Sequence, residues 1–238
     1  KTNLELSVGV FEDQKLVAFI LHGTGLSNNV KIAYNGGTGV IPSKRGQGLT
    51  KRMYDFIIPD LRERGFNKIV LEVITENAQA IKSYTNCRFK VIRELNCFKG
   101  SISINQNNNS LKIKNLQNYS WESIKLFWDV KPSWQNSIEV INELKEDNIS
   151  LGAYLEDQFV GYIVYNPDSK RIQQLAVHKD FRNKGIASTL ISTVIAKDGN
   201  ELSVINVDAK AKSMTNYFQS IGLKNYLNQF EMELVLND

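Results

Sequence analysis

Two stretches set the architecture: Val177-His178-Lys179-Asp180-Phe181-Arg182-Asn183-Lys184-Gly185-Ile186-Ala187 and, earlier, Val40-Ile41-Pro42-Ser43-Lys44-Arg45-Gly46-Gln47-Gly48-Leu49-Thr50. Each runs from an apolar strand end through four residues to Arg-x-x-Gly-x-small and then into a helical run. A loop of this kind holds a pyrophosphate: its backbone N–H groups converge on the anion and the helix points its positive end at it. Glycine at the fourth position lets the backbone approach the oxygens. The small sixth residue leaves room at the first helical turn. Taken once, a basic-Gly turn before a helix is ordinary loop chemistry; twice, after a strand, at the same point of a repeat, it is a device.

Two further matches keep the same order. Phe11-Glu12-Asp13-Gln14 with Leu16 to Ile20 resembles Leu155-Glu156-Asp157-Gln158 with Phe159 to Ile163, a hairpin in both places. Glu72-Val73 through Phe89 pairs with Asn206-Val207 through Leu223. The chain is therefore expected to carry one unit twice, over residues 1–99 and 111–238. An exposed, Asn-rich connection is expected over 100–110. The second copy reads as strand Leu111 to Leu116, two helical stretches across Ser120 to Leu144, and strands near Ile149–Leu155, Phe159–Tyr165 and Ile172–Val177. A helix Gly185–Ala196, strand Leu202–Val207, helix Lys212–Ile221 and strand Phe230–Leu236 complete it. The first copy opens at its second strand, Leu4 to Phe11, without its opening strand and helices, and the chain begins without Met. Asn35-Gly36-Gly37 permits a bulge just before the first loop.

Arg182-Asn183-Lys184-Gly185-Ile186-Ala187 resembles the coenzyme A signature of the GNAT superfamily of N-acetyltransferases, Gln/Arg-x-x-Gly-x-Gly/Ala. Arg45-Gly46-Gln47-Gly48-Leu49-Thr50 departs from it only at Thr50. The resemblance implies two α+β domains, each a mostly antiparallel sheet flanked by helices. It also implies acetyl-CoA as cosubstrate, with no metal, and direct acetyl transfer to an amine. The backbone of Val40 in one copy, and of Leu175 and Val177 in the other, is then expected to hold the thioester and pantetheine; the side chains read as strand core.

In the first copy Val73, Asn77, Ala80 and Tyr84 match the family's Val-x-x-x-Asn-x-x-Ala-x-x-x-Tyr stretch, with Arg88 where a Gly is usual. The resemblance makes Tyr84 the acid that protonates the departing thiolate and puts Asn77 in the cofactor site. The second copy has Val207, Ala211, Met214 and Phe218 there. Phe218 has no proton to give, and Tyr217 is turned about 100° from it on a helix. Chemistry is thus expected in the first domain. Catalysis in the second domain, or a non-catalytic acyl-CoA sensor or scaffold, is the alternative. As a plain packed tyrosine, Tyr84 would carry none of this. No general base stands out: His22 and His178 read as structural or solvated residues at strand ends.

Trp121, Phe127, Trp128 and Trp134 fall where the family walls its acceptor, with Asp129 to attract a charged amine; core packing is the competing reading. The acceptor is expected to be a small-molecule or peptide amine. Composition agrees with a packed soluble protein: of 238 residues, 42% are hydrophobic and 23% charged. A net charge of +4, scattered along the chain, argues against nucleic acid and against aminoacyl transfer from charged tRNA. No apolar run reaches the roughly 20 residues of a membrane span. Cys87 and Cys97 read as reduced thiols, and with no signal-peptide pattern the expected setting is cytoplasmic. Neither loop contains Gly-x-Gly-x-x-Gly, so a dinucleotide-binding fold is set aside.

Overall fold

A computed structural model describes residues 2–27, 29–104 and 108–236. The chain forms two compact units, one of Lys1–Glu94 with Gln229–Asp238, the other of Leu95–Asn228. The fold is mixed α+β, as expected.

Unit 1 begins with an antiparallel meander, β1 (Thr2–Glu12), β2 (Lys15–Ser27) and β3 (Val30–Val40). The first hairpin turns on Asp13 and Gln14, both at positive φ (48° and 65°). A two-residue loop of that hand matches the right-handed twist of the strands. Helix α1 (Leu49–Glu63) buries Leu49, Met53, Tyr54, Ile57 and Leu61, whose spacing of about three to four forms one apolar face. It leads to β4 (Lys68–Ile74), parallel to β3, then to α2 (Ala78–Asn86) and the start of β5 (Lys90–Ser101). The stretch Gln229–Val235 of the last strand, β11 (Lys224–Val235), pairs antiparallel with β4 along its whole length.

Unit 2 repeats this order with its opening elements present. Strand β6 (Lys112–Asn115) is followed by short helices α3 (Trp121–Lys125) and α4 (Ile138–Glu143). The meander continues through β7 (Ile149–Leu155), β8 (Gln158–Asn166) and β9 (Arg171–Val177). Its hairpin turns on Glu156 and Asp157, again at positive φ (47° and 66°). Helix α5 (Ile186–Asp198), strand β10 (Glu201–Asp208) and helix α6 (Lys212–Ser220) follow. β10 runs parallel to β9 and antiparallel to Leu95–Ser101 of β5. One sheet face packs Ile172 and Leu175 against Ile186, Leu190 and Phe218; the other packs Tyr162, Val164 and Ala176 against Ile124, Phe127 and Ile141.

The units are not the consecutive stretches 1–99 and 111–238. Leu95–Lys99 lie with the second copy's elements, and Gln229–Asp238 with the first copy's. Both strands involved are 12 residues long, and a strand's pattern says which face is apolar without saying which partner it will meet. Within the expected exposed connection Ser101, Ser103, Asn109 and Ser110 are exposed, but its start is tied into unit 2. Gly100 and Ser101 end β5, Ile102 is buried, and Ser103 N–H donates to Ile221 O at 2.9 Å. Residues 105–107 lie outside the described residues.

Candidate coenzyme A site and active-site cleft

In each unit the parallel strand pair opens toward its carboxyl end. β9 and β10 pair only at Arg171–Ile172 with Ser203–Val204, and β3 and β4 at Ile32–Asn35 with Lys68–Leu71. At each opening the first strand carries one extra residue against its antiparallel neighbour. This is Gly36 in β3, as expected from Asn35-Gly36-Gly37, and Gln173 in β9. Such a bulge leaves backbone groups unpaired where the strands part.

The two loops that follow are built alike. A short 3₁₀ turn, Pro42–Lys44 or Lys179–Phe181, returns the chain toward the helix. The Arg side chain then folds back: Arg45 Nε donates to Val40 O, and Arg182 Nε to Val177 O, both at 3.2 Å. Gly46 (74°) and Asn183 (58°) take positive φ, and so do Gly48 (72°) and Gly185 (76°) at the helix N-caps. The first-turn N–H groups of α1 and α5 have no carbonyl partner within their own helix. A Cβ on Gly46 or Gly48 would meet no atom within 4 Å, and on Gly185 only Asn108 Cβ at 3.9 Å. Backbone conformation is thus what requires glycine there, and the open space suits an anion.

Beyond the loops the units differ. In unit 2 a cleft of about 710 Å³ is lined by Leu175, Val177, Arg182, Asn183, Gly185, Ile186 and Ala187, together with Val204–Asp208 of β10. These are seven of the eight residues expected in the second copy's cofactor site; Lys184 is not in the lining, and its ammonium lies over the Phe181 ring at 4.8 Å. In unit 1, Tyr54 is 1% exposed and its ring is 5.0 Å from that of Phe89. Its hydroxyl accepts from Asn35 Nδ2 at 2.6 Å, and the same nitrogen lies 2.8 Å from Thr38 Oγ1. Tyr84 joins this set. Burial raises its pKa, while its hydrogen-bonding neighbours Thr38 and Asn35 pull the other way. Five residues into the second copy's helix, the place of Tyr54 is taken by Ile191. Asn77 caps α2, its Oδ1 accepting from Ala80 N–H at 3.1 Å.

Tyr217 and Phe218 both line the unit 2 cleft, although a 100° step was expected to turn Tyr217 away from it. Met214, Tyr217, Phe218 and Ile221 stand at the i, i+3, i+4, i+7 spacing of one helical face, and a 100° step leaves two adjacent residues on that face. Phe218 is 1% exposed, packed 5.8 Å from Phe98, whereas the Tyr217 hydroxyl lies 3.2 Å from Ser188 Oγ on α5. Burial raises the Tyr217 pKa, with the Ser188 hydrogen bond acting against it.

Of the four aromatic residues expected around the acceptor, Phe127 and Trp128 line the cleft. Trp121 instead stacks on Tyr119 with ring centres 4.7 Å apart, and Trp134 sits in a 3₁₀ turn outside the lining. Asp129 also lines the cleft, with its carboxylate paired to Arg182 Nη1 at 2.8 Å. His22 is not at a strand end. It lies inside β2, fully buried, with Nδ1 2.7 Å from Leu6 O, and burial lowers its pKa. His178 caps the 3₁₀ turn, its Nδ1 accepting from Asp180 N–H at 3.3 Å. Sequence reasoning missed Asn136 and Gln174, which line the cleft; no spacing marks an amide that works through a tertiary contact.

Among known families, residues 2–89 match the acetyltransferase (GNAT) family model and residues 115–236 match the acetyltransferase (GNAT) domain model. No curated protein sequence matches the chain. Among solved structures, the GCN5-related N-acetyltransferase of Sphaerobacter thermophilus superposes with a TM-score of 0.70 at 14% identity, over 95% of this chain and 79% of that one. A tandem GNAT protein from the clavulanic acid biosynthesis pathway gives 0.69 at 10% identity, over 98% and 83%. These likenesses show the fold, and no helix among the described residues is long and apolar enough to cross a membrane. With one GNAT model over just more than half of its length and a second over residues 2–89, the chain belongs to the GNAT acetyltransferase family and is an acyltransferase.

Proposed function

We propose that the chain is an acetyl-CoA-dependent N-acetyltransferase that acetylates an amine directly, with the chemistry in unit 2. The observation that carries this reading is the cleft of about 710 Å³ between the parted strands β9 and β10, with the Arg182–Ala187 loop in its lining. The N–H groups at the start of α5 bind the pyrophosphate, and Ala187 leaves it room. Unpaired backbone of β9 near Leu175 and Val177 orients the pantetheine arm. Bound there, acetyl-CoA supplies an acyl carbon activated as a thioester. A phenol is protonated at neutral pH, and burial raises the Tyr217 pKa further, so the cleft holds a proton at that hydroxyl for a leaving thiolate. Phe127 and Trp128 give the acceptor an apolar wall. Reduced Cys87 and Cys97, both buried and not bridged to each other, fit a cytoplasmic setting.

A second reading places the chemistry in unit 1. It is favoured by the loop at Arg45–Thr50, which departs from the signature only at Thr50, and by Tyr84 beside Thr38 and Asn35. The glycines separate the two. Gly185→Val forces a β-branched residue into left-handed backbone and should weaken acetyl-CoA binding at least about tenfold by calorimetry, whereas Gly48→Val should leave it near wild type. The reverse result moves the cofactor to unit 1. Unchanged affinity in the double variant removes both loops from cofactor binding.

A further inference from the structure

Strand β10 is bulged where it leaves β9. Its pairing with β9 ends at Val204, and against β5 the register shifts between Val204 and Val207. Ile205 and Asn206 therefore stand opposite Cys97 alone, and Asn206 takes positive φ (59°). A bulge leaves backbone groups without ladder partners, and a buried carbonyl needs one. Ile205 is 7% exposed, and its carbonyl accepts from Asn136 Nδ2 at 2.9 Å. The backbone oxygen of Asn136, at the end of the 3₁₀ turn Trp134–Asn136, in turn accepts from Gln174 Nε2 of β9 at 2.5 Å. One residue thus ties together two strands whose own ladder has ended.

Two further side chains fix the direction of the tie. Trp128 Nε1 can only donate, and it does so to Tyr162 OH at 2.6 Å. Tyr162 OH then donates to Gln174 Oε1 at 2.7 Å, which turns Gln174 Nε2 toward the Asn136 carbonyl. Trp128, Asn136, Tyr162, Gln174 and Ile205 all line the cleft. Unit 1 fills the matching places differently. By register Phe19 stands where unit 2 has Tyr162, and Gly37 where it has Gln174. Strand β4, the counterpart of β10, meets β11 without a shift.

We propose that Asn136 and Gln174 are positioning residues: they hold the bulge at Ile205–Asn206 and so set the width of the cleft where the acyl-bearing arm of the cofactor ends. This rests on the reading of unit 2 as the coenzyme A site. Gln174 lies three residues, about 10 Å of strand, back from Val177 and so away from the Arg182–Ala187 loop. The tie therefore acts on the pantetheine arm, while the pyrophosphate depends on the loop.

The test uses the full chain and two probes, acetyl-CoA and 3′-phosphoadenosine 5′-diphosphate, which has the pyrophosphate without the pantetheine arm. Asn136→Leu removes the donor to Ile205 O. Calorimetry should show acetyl-CoA binding weakened about tenfold, the worth of one buried hydrogen bond, with the nucleotide probe changed less than about twofold. Gly185→Val, in the loop itself, should weaken both probes. Gln174→Met cuts the other end of the tie and should show the same split as Asn136→Leu. It carries the test if circular dichroism finds Asn136→Leu unfolded. A residue that only stabilised the fold would lower the melting temperature without separating the probes. Equal effects on both probes, or none on either, in the folded variant overturn the assignment. The unit 2 reading stands in that case as long as Gly185→Val weakens both. If Gly185→Val weakens neither, that reading fails and this assignment with it.

Discussion

The loop Arg45–Thr50 and the loop Arg182–Ala187 share a backbone, down to the 3.2 Å bond from Arg Nε to the carbonyl at the strand end, yet they open onto different interiors. Behind the first, Tyr54, Asn35, Thr38 and Tyr84 bring their polar groups together. Behind the second is a cleft with Tyr217 in its wall. A phosphate-binding turn is a local device, set by glycine conformation and a helix end. Whether it serves a site depends on side chains contributed from other elements. Tyr54 against Ile191, five residues into the helix, is one such difference.

The comparison breaks or holds most sharply on the two tyrosines. Tyr217→Phe should slow single-turnover transfer roughly 10²–10⁴-fold, the range for loss of a general acid, with Tyr84→Phe changing it no more than severalfold. If Tyr84→Phe is the slow variant, the first unit is the enzyme and the second the support.

A smaller effect is expected at a ladder position that the units fill differently. His22 pairs with Asn35 directly after the bulge in unit 1, and Tyr165 with Ile172 at that place in unit 2. Burial lowers the His22 pKa, so as pH falls the unfolded imidazole takes its proton first. The stabilisation is complete above the ordinary value of 6.5 and is lost as pH falls from there toward the folded value. One such proton changes stability by at most about 1.4 kcal/mol per pH unit. Urea unfolding at pH 7.5 and 5.5 should show the loss in wild type and its absence in His22→Gln. An equal loss in both would clear His22 of it.

The smallest effect concerns the carboxylate that unit 2 sets against its own loop. Arg182 and Asp129 are both partly exposed, and such pairs contribute at most about 1 kcal/mol. Asp129→Asn should leave the melting temperature nearly unchanged. With the competing carboxylate gone, acetyl-CoA should bind about two- to fivefold more tightly by calorimetry, less so at high salt. Weaker binding would instead make Asp129 the residue that holds Arg182 in place.

Much of this was legible in the residues. Asp13-Gln14 and Glu156-Asp157 announce tight hairpins, Asn35-Gly36-Gly37 a bulge, and Gly48 and Gly185 the left-handed start of a helix. Arg88 departs from the usual glycine and still takes positive φ (70°), as its counterpart Gly222 does (103°), because the turn that ends the helix needs that conformation. These features depend on neighbours within a few residues, so local sequence determined them. The sequence also determined the order of elements, repeated twice. Only the tertiary structure decided that Leu95–Ser101 pairs with β10 and Gln229–Val235 with β4, because a strand's alternation specifies its buried face and not its partner. It alone decided that a cleft opens along the α6 face that carries Tyr217 and Phe218, and that Asn136 bridges two strands with one oxygen unmet. Those outcomes depend on where two strands part and on contacts between residues far apart in the chain, which no spacing encodes.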